Sequence, residues 1–166
     1  MISNSSKALL LLVVVAMPAT AEKIPLFSMC KALSGHWQGS SADAGQAPGQ
    51  VQMQGVCSED NRQLFLSVTV AGDKSESWWF SDVGSHIRLI MDNGVGEPVV
   101  REFSLYRQGK GFSLLGQGQV TERPAMVRLV FDAQDSGWRW LQQVQFLDDD
   151  YADYQVLRGI ELQPVL

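Results

Sequence analysis

Few residues in this 166-residue chain have the types and spacing for chemistry. The two histidines, His36 and His86, stand alone. Neither is tied to a carboxylate, and no serine sits in an elbow motif, so no Ser-His-Asp arrangement is expected. Asp148, Asp149, Asp150 and Asp153 gather four carboxylates, which is calcium chemistry in principle. Their spacing matches no calcium loop and reads as a solvated hairpin turn. Cys30 and Cys57 form no ligand spacing with either histidine, so zinc is not expected. No catalytic residue, metal or cofactor is assigned, and the chain is not read as an enzyme.

Arg101 is the residue with the clearest binding chemistry. It falls between Val99 and Phe103 on an otherwise apolar face. A charge on a buried face must be paired. Its partner could be a ligand carboxylate or an internal Glu76 or Glu102, although Glu102 alternates to the opposite face; a strand exposed on that side would need no partner. Two aromatic clusters, Trp78-Trp79-Phe80 and Trp138-Arg139-Trp140, could line a cavity or simply fill a core. Adjacent rings in the first cluster face opposite ways, whereas Trp138 and Trp140 share a face.

These side chains need a scaffold of strands. From Trp37 onward the apolar period is two: Leu64, Leu66, Val68 and Val70 share a face, as do Ile87, Leu89 and Met91. Val99, Arg101, Phe103 and Leu105 repeat the pattern, as do Val127, Leu129 and Phe131. Trp138, Trp140, Val144 and Phe146 follow, then Tyr154, Val156, Arg158 and Ile160. Turn formers such as Asp92-Asn93-Gly94 and Asp135-Ser136-Gly137 separate the runs. Short alternating strands at regular spacing predict an all-β fold, a single antiparallel up-and-down barrel of about 8–10 strands. One short helix is predicted over residues 24–33, with Pro25 in its first turn and Ser34-Gly35 ending it. Residues 40–49, rich in Ser, Ala and Gly, read as a mobile first loop.

Residues 1–21 read as a cleaved secretory signal: Lys7, an apolar run from Ala8 to Met17, then Pro18 and the small residues Ala19-Thr20-Ala21. The run is about half of the roughly 20 residues a membrane span needs. Residues 22–166 then form one domain, periplasmic or secreted, with no membrane span after cleavage. Net charge is −5, and removing Lys7 makes it more negative by one. An acidic domain without a basic block is a poor partner for nucleic acid or anionic lipid. In an oxidising compartment Cys30 and Cys57 are expected to form a disulfide, tying the helix to the second strand. Closing a loop of this length contributes about 3 kcal/mol in the chain-entropy account.

The stretch Leu33-Ser34-Gly35-His36-Trp37-Gln38-Gly39 resembles the Gly-x-Trp opening of the calycin group: lipocalins, fatty-acid-binding proteins, nitrobindin-like barrels and avidins. The resemblance implies a helix-plugged barrel in which Arg158, on the last strand, packs over Trp37 and closes one end. It also implies a small apolar or amphiphilic ligand, with Trp79, Phe103, Trp138 and Trp140 as walls and Arg101 as anchor. It does not extend to haem, since no histidine follows His86. The same opening is similar to that of periplasmic inhibitors of secreted metalloproteases, which act through an N-terminal segment. Here that segment would be residues 22–26, with a protein partner in place of a small ligand, although Cys30 precedes the tryptophan and theirs follow it.

Overall fold

A computed structural model describes residues 21–72, 74–150 and 153–165, so residues 1–20 of the expected signal segment lie outside the described residues. The fold is all-β, a single antiparallel barrel of ten strands with one short N-terminal helix. A two-residue strand β1 (Glu22–Lys23) leads into helix α1 (Phe27–Leu33). The barrel strands follow in order: β2 (Gly35–Asp43), β3 (Gly49–Cys57), β4 (Gln63–Val70), β5 (Lys74–Asp82) and β6 (Ile87–Asp92). The second half comprises β7 (Val99–Gln108), β8 (Gly111–Val120), β9 (Arg123–Gln134), β10 (Gly137–Phe146) and β11 (Gln155–Pro164). Each strand pairs with the next, and β11 closes on β2, so the ring leaves no free edge among β2–β11. The architecture is compatible with a calycin-like barrel.

Alternation drives this closure. Inward positions on β4, β5 and β9 hold Leu64, Leu66, Val68, Trp78, Phe80 and Phe131, all buried, while their neighbours face water. The interior is filled rather than hollow over much of its length. Trp78 of β5 meets Trp140 of β10 with centroids 4.6 Å apart, and Phe80 meets Phe131 at 6.4 Å. Burying each such ring or leucine contributes roughly 1.5–3 kcal/mol.

The helix closes one end, by a shorter span than predicted. It begins at Phe27, not Ile24, because residues 22–24 are held as an added strand: Glu22 and Lys23 pair with Arg107 and Tyr106, and Ile24 N–H donates to Leu105 O. Seven residues cannot sustain a helix alone. Four buried side chains, Leu26, Met29, Cys30 and Leu33, hold it over the barrel core. The Cys30–Cys57 disulfide then ties it to the end of β3. Gly55 lets it approach, since a Cβ there would overlap the Leu33 carbonyl.

Two further expectations change. Residues 40–43 are not loop but the end of β2, paired with β3 and β11 despite their small polar side chains. Ser41 points inward and is buried there. On β11 the register against β10 shifts between Gln142 and Gln143, leaving Leu157 as an extra residue. Such a bulge reverses alternation. Val156 is therefore exposed and does not share a face with Arg158, and Tyr154 stacks instead on Arg128, 4.0 Å from the guanidinium.

Candidate functional site at the barrel mouth

The residues singled out from sequence separate into four places. Trp37 closes the helix end, where its Nε1–H donates to Leu33 O at 3.1 Å and so caps the last turn of α1. Arg158 does not reach it. β11 runs antiparallel to β2 with Trp37 opposite Pro164 and Arg158 opposite Asp43. Six residues of strand, about 20 Å, separate the two. The pairing of Trp37 with Arg158 is thus replaced by two closures at opposite ends.

The four expected wall residues also part company. Trp79 faces outward and is 43 % exposed, so it cannot line the barrel. Phe103 and Trp140 are core, each 1 % exposed. Trp138 sits near the helix end, stacked on Phe112 at 5.6 Å. None of the four lines the recess at the open end.

That recess, of about 330 Å³, is bordered by Glu76, Met91, Val99, Arg101, Gln142 and Arg158, and by the β6–β7 segment, which adds the carboxylates Asp92 and Glu97. Arg158 is its best-held member. Its Nη1 donates to both carboxylate oxygens of Glu76, at 2.8 and 2.9 Å, and its Nε donates to Ser41 Oγ at 3.2 Å. The Trp78 indole N–H donates to Glu76 Oε2 at 3.0 Å. The Arg158 guanidinium lies 5.9 Å from the Trp140 ring, so the pair roofs the aromatic core. Sequence alone connected neither Ser41 nor Glu76 with Arg158, because the three lie on strands far apart in the chain.

Arg101 lies in the same recess and is half-buried. Neither internal carboxylate weighed for it is available. Glu76 is taken by Arg158, and Glu102 faces outward, with its Oε1 3.1 Å from Arg88 Nη2 and its Oε2 3.1 Å from His86 Nε2. Arg101 Nη2 donates only to the Gln119 carbonyl, at 2.8 Å, and among the described residues it has no ion-pair partner. Burial pushes its guanidinium below its ordinary value, yet arginine keeps its proton in proteins. Gly118 makes room for it, since a Cβ there would collide with Arg101 Nη1.

A larger recess of about 860 Å³ lies on the outer face, across Gln38, Gln52, Thr69, Ser136 and Gln163. Its charged members are Asp135 and Glu161, the latter bonded to Arg139 at 2.7 Å. It offers amides and hydroxyls but no cation among its lining residues, whereas the mouth combines the half-buried Arg101 with Met91, Val95 and Val99. Among the described residues no three His, Cys, Asp or Glu side chains group as a metal site, and no helix is long and apolar enough to cross a membrane. No protein-family model matches the chain, and no curated protein matches it.

Proposed function

We propose that this is an exported, non-catalytic barrel that binds the carboxylate head of a small amphiphile in its mouth, with Arg101 as the anchor. The observation that carries this reading is a half-buried guanidinium in a recess with no carboxylate partner among the described residues. A carboxylate placed there would gain a charge-assisted hydrogen bond in a partly dried site. The Arg158–Glu76 pair contributes shape rather than net charge, and the other two carboxylates of the recess, Asp92 and Glu97, form no ion pair with Arg101, Asp92 Oδ1 instead accepting from Gly94 N–H at 2.8 Å. At about 330 Å³ the recess is at the small end of ligand sites, roughly 300–1,000 Å³. The aromatic core blocks deeper entry, so the head binds inside and the apolar tail lies across Val95 and Val99 at the rim. The Cys30–Cys57 disulfide fits an oxidising compartment.

The protease-inhibitor alternative draws less support. Residues 22–24 are paired with β7 and Leu26 is fully buried, so the segment would have to peel away before entering a cleft.

Titration calorimetry with decanoate tests the reading on protein expressed in full and purified without detergent. Saturable one-site binding is expected, weakened at least tenfold by Arg101→Ala and also by Gly118→Ala, which displaces the guanidinium. Binding that ignores both substitutions, or no binding at millimolar decanoate, would refute it.

A further inference from the structure

The outer wall of β3–β7 carries an apolar row that the core does not use. Val56 lies opposite Phe65, Phe65 opposite Trp79, Trp79 opposite Ile90, and Ile90 opposite Val100. Five adjacent strands thus place five apolar side chains edge to edge. Four of them are 43–57 % exposed and Ile90 is partly exposed. Single exposed apolar residues are ordinary, but a contiguous row is not. The rows on either side are polar: Gln63, Ser81, Arg88 and Glu102 on one, Gln54, Ser67, Ser77 and Asp92 on the other. β5 is the central strand, and its inward rings stack on the opposite wall, so Trp79 stands at the middle of this face.

We propose that this face pairs with a second copy of the chain about a two-fold axis lying along the row. That axis lays Trp79 on the partner's Trp79 and brings each polar row over the opposite polar row of the other copy. Arg88 and Asp92 lie on one strand, four residues apart, on either side of the row. The same axis therefore sets Arg88, which also pairs with Glu102 of its own chain, against the partner's Asp92, twice per dimer. An axis perpendicular to the row would set Arg88 against the partner's Gln63 and forgo both charge pairs. Five strands at about 4.8 Å, and three outward rows about 6.8 Å apart, would span with side-chain margins roughly 25 by 20 Å if laid flat, and the curvature of the ten-strand ring lowers the part that two copies bury. The flat figure, on the order of 1,000–1,200 Å² in total, is an upper bound and lies at the lower limit for a specific dimer. A closed two-fold contact also satisfies the face without an open chain of copies.

The apolar row is separate from the mouth, but Asp92 also borders the recess, so Trp79→Glu and Arg88→Asp are the variants that leave the mouth unaltered. Sedimentation velocity on the protein, expressed in full and purified without detergent, is expected to show a dimer at micromolar concentration that becomes a monomer with Trp79→Glu. Arg88→Asp alone and Asp92→Arg alone should each be monomeric, since each sets like charges together. Mixed in equal amounts, those two variants should restore the dimer, because every contact then joins opposite charges. A monomeric wild type overturns the proposal, and so does a dimer that survives Trp79→Glu. A mixture that stays monomeric overturns the axis. A wild type that stays monomeric but shows, on zwitterionic vesicles, a blue shift of tryptophan emission that Trp79→Glu abolishes would assign the row to a lipid surface instead.

Discussion

Arg123 and Asp148 show how little of the surface charge is idle. The guanidinium donates through Nε at 3.1 and 3.2 Å and through Nη2 at 2.7 Å, and it also lies 4.0 Å over the Phe146 ring. Those hydrogen bonds hold the Asp148 carboxyl below its ordinary range. Because the folded value is depressed, the contact is fully present above the ordinary aspartate range and is lost as pH falls through the lowered value. A carbon-detected NMR titration should give Asp148 a midpoint below that of an unpaired aspartate, and Arg123→Ala should return it to the ordinary range. An unchanged midpoint in the variant would contradict the assignment. Since both groups are exposed, the effect on global stability should be slight. The carboxylate run at residues 148–150, read from sequence as a solvated turn, is thus partly tied to the start of β9.

At the scale of elements, the hairpins carry the closure. Thr121 and Glu122 join β8 to β9 as a two-residue turn with φ of 49° and 65°, between the paired Val120 and Arg123. Both central residues are left-handed, the conformation of a type I′ turn, which favours Asn-Gly. Replacing Thr121-Glu122 by Asn-Gly should raise unfolding free energy by about 1 kcal/mol in urea, with no change at the mouth. A loss of stability would show that the turn side chains hold something else. Strand existence was legible in the chain because buried and exposed positions alternate cleanly, as in Leu64 to Val68 and Val127 to Phe131. Two places were not legible. Ser40 to Asp43 lack the apolar alternation that marks a strand, yet β11 and β3 recruit them through backbone pairing, and Ser41 Oγ accepts from Arg158 Nε. The β11 bulge has no side-chain signature, so Val156 was assigned to the inward face that it leaves.

For the whole molecule, the barrel is a packed core with a shallow mouth. Composition and alternation foretold the barrel, the plug helix and the disulfide. They could not reveal whether rings from opposite walls would meet, because that depends on register around the full circle. Trp78 meeting Trp140 fills the centre and turns two expected wall residues, Phe103 and Trp140, into core. Arg101 kept its place on the inward face because β7 has no bulge before it, and its lack of a partner emerged only once Glu76 was found on Arg158. The most direct test of the account follows the side-chain Nε–Hε resonances of arginine during a decanoate titration. The account predicts a saturable shift at Arg101, a smaller one at Arg158, and none at Arg88, Arg123 or Arg139 on the outer face. Shifts at the outer arginines with Arg101 unmoved would contradict it.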